Sequence, residues 1–288
     1  MSFGDRKDAV RVRNVDGMHM IMCDIKPLRA DSDVYINQKI DVTELVKYIE
    51  ERKKSESDLT YFHAFSMAIA KVFYNRPLLN RFVLNKHFYD RKEVSLSFVA
   101  KVDFEDDSPE YLNVIRVGEN DTLIDVKNKI SGTVKKVRSN SKNGTDDAIN
   151  IVGKLPRFLR VFVMWFLKKL DNHGLIPYSL IENDIYHSSI ILSNLGSIDC
   201  GAIYHNLTDF GTNSILMTIG KIHKEQLVTE NGKVEIRDVC NFGVNVDERI
   251  ADGVYFAKSI KLFEYILQNP KLLEKKACEK IERENKNK

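Results

Sequence analysis

Between Val234 and Gly253 the chain changes its hydrophobic period, and that change limits what can be built around it. Val234-Glu235-Ile236-Arg237-Asp238-Val239 alternates as a strand and leads through Cys240, Asn241, Phe242 and Gly243 into the sequence VNVDERIADG at 244–253. Beyond it Val254-Tyr255-Phe256-Ala257, then Ile260, Leu262, Phe263, Ile266 and Leu267, adopt helical spacing. Residues 247–253 therefore sit where a strand hands over to a helix. Polar side chains at such a junction are held by a rigid element and can still face a cleft.

Other segments repeat the mixture of periods. Strands are expected at 34–40, 88–89, 94–102, 111–117, 188–194 and 215–219, and at 222–229 paired with 234–239 across an Asn231-Gly232 hairpin turn. Helices are expected from Asp41 or Thr43, over 59–74 with Phe62, Phe65, Ile69, Val72 and Phe73 on one side, and over 122–137. Met18, Met20, Ile21, Met22 and Ile25 suggest one or two helical turns before Pro27.

The segment 155–170, LPRFLRVFVMWFLKKL, is apolar on most of its circumference. Its uninterrupted apolar run, 161–167, is far short of the ~20 residues of a membrane span. Helices hydrophobic all round are usually buried. The favoured expectation is a helix packed against protein, in the domain or at a subunit contact, in a molecule that does not float with anionic liposomes. The alternative is a membrane-surface helix with Arg157, Arg160, Lys168 and Lys169 as headgroup anchors.

Charge and cysteine usage narrow the function classes. A net charge of +3, with no basic stripe, gives no nucleic-acid footprint. Cys23, Cys200, Cys240 and Cys278 form no CxxC pair, so neither a disulfide framework nor a metal site is expected. The N-terminal residues lack the apolar core of a signal peptide, which points to the cytoplasm. The sequence holds no P-loop, dinucleotide fingerprint, HExxH or GxSxG.

"PLLN" at 77–80 after a helix, "SNLG" at 193–196 after an apolar strand, and D-x-R-x-x-D-G at 247–253 before a helix occur here in one chain and in that order. In this the chain resembles the catalytic domain of the 2-oxo-acid dehydrogenase acyltransferases. The resemblance implies an α/β two-layer sandwich, chloramphenicol acetyltransferase-like, with a mixed sheet and helices on one face. It runs from about Met18 to Pro270, so 1–270 is expected as a single domain with an insertion-like part at 146–182. A charged helical tail, 271–288, would follow and fray.

The same resemblance implies transfer of an acyl group between a coenzyme A thioester and a small acceptor, without a metal, at sites shared between subunits of a homotrimer. In the resembled enzymes a histidine takes the proton of the attacking thiol or hydroxyl; here that position is Glu248. Ser193 matches the serine that hydrogen-bonds the oxyanion, with Asn194 beside it. Asp247, Arg249, Asp252 and Gly253 match the supporting part of the motif. Arg29, like His19, lies where the family supplies an arginine partner for the aspartate of the DG pair, here Asp252, and Arg29 with His205 is taken as a substrate-binding candidate. A free glutamate has a pKa of about 4.3 against about 8.5 for a thiol, so Glu248 would need burial to act as a base. The alternative is a catalytically inactive homologue serving as a binding or scaffold protein, with Glu248 a salt-bridged carboxylate.

Overall fold

The computed structural model describes residues 4–101, 110–138, 152–229 and 231–282. In chain order the strands are β1 (Ala9–Arg11), β2 (Asp33–Asp41), β3 (Arg81–Leu84), β4 (His87–Arg91), β5 (Val94–Lys101), β6 (Glu110–Val117), β7 (Ile190–Asn194), β8 (Ile215–Ile219), β9 (His223–Val228) and β10 (Val234–Asp247). The helices are α1 (Gly17–Ile25), α2 (Thr43–Arg52), α3 (Tyr61–Asn75), α4 (Leu123–Arg138), α5 (Arg157–Asn172) and α6 (Gly253–Gln268); single turns occur elsewhere, as at Tyr178–Ile181.

β10 is the hub. It is one unbroken strand of 14 residues, pairing antiparallel with β2 along one edge, and with β8 and β9 along the other. The main sheet runs β2-β10-β8-β7-β5-β6, with parallel pairs β7–β8 and β5–β7 in its middle. Side chains alternate across it. Phe242, Val244 and Val246 join the core with α3 and α6, where Phe242 meets Phe65 and Phe263 edge to face. Gly243, Asn245 and Asp247 therefore face the other way. β1, β4 and β3 form a second, small sheet around Ala9, Phe82, Leu84 and Tyr89.

Local signals account for the helix starts. Thr60 and His63 form a capping box at α3, and Asp252 caps α6 by accepting from Tyr255 N at 2.7 Å. The 139–144 loop and residues 146–151 of the 146–182 segment lie outside the described residues.

Two expectations are corrected. The tail does not continue as a helix: a 3₁₀ turn ends at Glu274, and 275–282 dock on the domain. Buried Lys71 donates to Lys275 O (3.0 Å) and Lys276 O (2.5 Å), and Ala277 is fully buried. Two carbonyls and a small buried side chain hold what composition alone marked as loose. The second correction concerns α5, which is not enclosed by its own domain. Phe158, Phe162 and Trp165 are 72%, 59% and 56% exposed, and only its Val163–Leu167–Leu170 edge is half-buried. An apolar circumference signals a need for burial, but the described residues of the body cover only one edge of this helix.

What ties α5 down is its C-terminal end. Asp171, nearly fully buried, accepts from Arg6 Nη2 at 2.8 Å and faces His187 Nε2 at 3.1 Å. His187 Nδ1 lies 2.5 Å from Asp184 Oδ2, and Arg6 Nη1 donates to Asp171 O at 2.7 Å. A carboxylate at a helix C-terminus is unfavourable to the dipole unless cations surround it, and here Arg6 and His187 do. Burial pulls the His187 pKa down, but the hydrogen bonds and charges of Asp171 and Asp184 outweigh it, and the net shift is upward from 6.5. With a carboxylate at each ring nitrogen the imidazole donates twice, as the cation. Its contribution to stability is thus complete below about pH 6.5 and is lost as pH rises through the elevated folded-state value. The Tm advantage of wild type over His187→Gln should be largest near pH 6 and shrink toward pH 9; a constant difference would show that the ring is neutral in the folded protein.

Candidate active site

Asp247 is the last residue of β10, in register with Asp33 of β2, and is fully buried. Arg249 folds back onto it in a two-pronged pair, Nε to Oδ1 at 2.9 Å and Nη2 to Oδ2 at 2.8 Å. Its remaining Nη1 donates to Lys26 O (3.0 Å) and Pro27 O (3.1 Å), which fixes the segment after α1 against the loop after β10. Burial lowers the Arg249 pKa, but the paired Asp247 more than compensates and the net shift is upward. Arg29 also sits beside Asp247, with Nε 3.8 Å from Oδ2. There burial prevails and the shift is downward.

Glu248 is the first residue beyond the strand. Its backbone N donates to Ser32 O at 3.0 Å, continuing the β2 edge by one more bond. Its side chain is 29% exposed and forms an ion pair with Lys26 of similar exposure. The motif therefore divides at the end of the strand. Asp247 turns inward and locks the loop, while Glu248 turns outward from a rigid base.

The other candidates separate into groups. Arg29, expected among substrate-binding residues, is only 4% exposed and spends its donors on Thr208 O (2.5 Å) and Val83 O (3.1 Å). It is a buried support, and the carboxylate it approaches is Asp247 rather than Asp252. Asp252 is exposed and serves as the α6 cap. A Cβ on Gly253 would meet nothing within 4 Å, so the turn does not itself demand glycine there. His19 is paired with Asp16 on exposed α1, Nδ1 to Oδ2 2.6 Å.

Ser193 and Asn194 end β7. Ile190 and Leu192 enter the core, so Ser193 shares the opposite face with Gly243 and Asp247. Ser193 is level with Thr218 of β8, and Thr218 with Gly243 of β10. Two strand spacings across and five residues along separate its backbone from that of Glu248 by about 19 Å. The two candidate catalytic residues do not meet within one chain.

Sequence reasoning missed how that face is covered. Segment 200–209 lies across it, stitched by Leu207 N to Asp33 Oδ2 (3.0 Å), His205 N to Asn245 Oδ1 (3.2 Å) and Thr218 Oγ1 to Ile203 O. Asn245 Nδ2 in turn donates to Asp33 Oδ1 at 3.0 Å. Gly243 is needed here, because a Cβ would come within 2.3 Å of Ile203 O. The segment carries His205 over Asn245, with its side chain exposed. Burial raises the Asp33 pKa, opposed by its bonds from Leu207 N and Asn245. The signal that could have revealed this seat is the row of polar and small residues, Gly243, Asn245 and Asp247, alternating with apolar ones in a central strand.

The four cysteines are unpaired, and among the described residues no cluster of His, Cys, Asp or Glu has the arrangement of a metal site.

A buried Asp–Arg brace at the end of a central strand, within a mixed sheet backed by helices, is a chloramphenicol acetyltransferase-like two-layer sandwich, and the chain resembles the acyltransferase components of 2-oxoacid dehydrogenase complexes. Residues 178–274 match the family described as the catalytic domain of the 2-oxoacid dehydrogenases acyltransferase. Over 236 residues the chain is 22% identical to the lipoamide acyltransferase component of the branched-chain alpha-keto acid dehydrogenase complex of Bacillus subtilis (strain 168), covering 80% of this chain and 45% of that protein. The chain thus spans about half the length of that curated relative. Among solved structures it superposes on a probable dihydrolipoamide acetyltransferase from Listeria monocytogenes (17% identity, TM-score 0.59, 90% of this chain and 95% of that one). It also superposes on the dihydrolipoamide acetyltransferase of Azotobacter vinelandii (13% identity, TM-score 0.61, 91% and 93%).

Proposed function

We propose that this protein is an acyltransferase that moves an acyl group between coenzyme A and a small acceptor, at sites formed between copies of a cytoplasmic homotrimer. The observation that carries this reading is the placement of Glu248. It is outward-facing and part-exposed between two charged residues, Asp247 and Arg249, that are buried and braced. Glu248 would take the proton from the attacking thiol or hydroxyl as the new bond to the thioester carbonyl forms. Ser193 would donate a hydrogen bond to the resulting oxyanion, which then collapses with loss of the thiolate. In the A. vinelandii relative a serine, a histidine and an asparagine were investigated for roles in the catalytic mechanism.

The separation of about 19 Å between Glu248 and Ser193 within one chain makes a neighbouring copy a requirement of this mechanism. A closed ring of heterologous contacts supplies one. Sedimentation equilibrium is expected to give a trimer, and a stable monomer at micromolar concentration would contradict it. Coexpressed Glu248→Gln and Ser193→Ala chains, each inactive alone, should regain activity in mixed trimers. Random mixing leaves about a quarter of the interfaces with both residues intact. Recovery absent from verified mixed trimers would mean that the two residues do not share a site.

The second reading is a binding or scaffold protein that kept the fold without the reaction. The observation favouring it is the Lys26–Glu248 ion pair, which occupies the carboxylate that the enzyme reading needs as a base.

A further inference from the structure

Helix α5 carries none of the residues assigned to the acyl-transfer site, and the described residues leave it largely uncovered. At 100° per residue, Phe158, Leu159, Phe162, Trp165 and Phe166 fall in one sector. All five are at least 40% exposed, with Phe162 stacked on Trp165 and on Phe166 at centroid distances of 6.0 and 6.4 Å. Val163, Leu167 and Leu170 lie on the side toward the body. Arg157, Arg160 and Lys168 share the remaining sector with Val161 and Met164, and Lys169 lies among the aromatics near the C-terminal end.

The charge is as uneven as the apolar surface. Residues 154–171 hold five basic side chains and one acid, Asp171. That acid is used internally by Arg6 and His187. The five cations make no salt bridge among the described residues; Arg160 has only a 3.4 Å bond to Gly153 O. The segment's net of four positive charges exceeds the +3 of the whole chain, so the remainder is slightly acidic.

We propose that α5 is a membrane-surface helix that docks the protein on anionic lipid, with its aromatic sector in the headgroup–acyl boundary and Arg157, Arg160, Lys168 and Lys169 on the phosphates. Charge complementarity selects this occupant. A second copy docked on the same face about a two-fold axis would set the same cations against each other. A folded protein partner would need carboxylates placed at each cation, whereas mobile anionic headgroups gather at all of them. Long Lys and Arg stems let the charge stay at headgroup level while the aromatics enter, and a tryptophan prefers that depth. The helix lies on the bilayer, since no helix among the described residues is long and apolar enough to cross one. The stem is prepared for load. A Schellman-type end, Leu175 N to Leu170 O at 2.8 Å with Gly174 at φ +66°, stops the helix where the Asp171–Arg6–His187 network anchors it to the domain. Flotation is the opposite of what a helix packed against protein, in the domain or at a subunit contact, would give.

Trp165 is the chain's single tryptophan, so its emission reports on α5 alone. The test mixes the full chain with vesicles of phosphatidylcholine, with or without phosphatidylglycerol. Flotation with the anionic vesicles only, a blue shift of Trp165 on binding, quenching by lipids brominated near the headgroup, and release by salt are expected. Lys168→Glu with Lys169→Glu should weaken partitioning roughly tenfold or more, and Phe158→Ser with Phe162→Ser should abolish the blue shift. All four positions are solvent-exposed, and an unchanged melting temperature verifies that the variants fold. The absence of both flotation and a shift at low salt would overturn the proposal. So would flotation that survives both double variants. Emission already blue and shielded from iodide without vesicles would overturn it too, by showing that protein covers the helix.

Discussion

Asp247→Asn should destabilise the protein by about 3–5 kcal/mol, a drop in Tm on the order of 10 °C for a chain of this size. The substitution keeps the shape of the side chain and removes its charge from a site with no access to water. Arg249 then keeps its guanidinium in the interior without the carboxylate that met two of its nitrogens, and Arg29 loses the carboxylate 3.8 Å from its Nε. Two buried cations left facing each other cost far more than the pair contributes when intact, because neither can recover its hydration. Arg249→Met in the same chain should recover much of the loss by removing one of them. The double-mutant cycle should therefore show a coupling well above the 0.3–0.5 kcal/mol tolerance of independent sites. Calorimetry of the four proteins provides the measurement. A loss below about 1 kcal/mol for the single variant is the value of an exposed pair, and would mean that water reaches the brace.

Parity explains much of what the sequence could and could not disclose. Phe242, Val244 and Val246 alternate with Gly243, Asn245 and Asp247, so one strand shows both of its faces in its own residue order. The strand-to-helix change at 247–253 was legible for the same reason, whereas the mixed sheet was implied by the family resemblance. Beyond the end of a strand parity stops, and the neighbours Asp247 and Glu248 acquire opposite roles that composition cannot assign. The Arg29 assignment failed there. Its environment is made by Val83, Thr208, Asp209 and Asp247, which no local pattern connects. The Arg6–Asp171–His187–Asp184 network is dispersed in the same way, with 165 residues between Arg6 and Asp171. The exposed state of α5 was illegible for a different reason. Periodicity reports which side chains seek cover, not whether the fold supplies it.

Glu248→Gln should lower turnover by about 10²–10⁴-fold and leave substrate affinity largely intact, because general-base catalysis is typically worth that much and the amide keeps the carboxylate's shape. Stability offers no competing explanation. The Lys26–Glu248 pair is about one-third exposed at both ends, and such pairs contribute about 0–1 kcal/mol. The variant should thus melt within a few degrees of wild type, and a large fall in rate would be chemical. Lys26→Met separates the two readings from the other side. It releases the carboxylate without altering it, so the enzyme reading expects turnover to persist, whereas a carboxylate present only to hold Lys26 gives no turnover to measure. Glu248→His then tests the surroundings of the base. Its backbone N is fixed by Ser32 O and its neighbours by the Asp247–Arg249 brace, so a histidine would be presented from the same rigid support. Thioester-dependent transfer by that variant would show that the site accepts either base. If wild type, Lys26→Met and Glu248→His are all inactive across a broad panel of acyl-CoA donors and acceptors, while the protein is trimeric and folded, the acyltransferase proposal fails and the binding-protein reading takes its place.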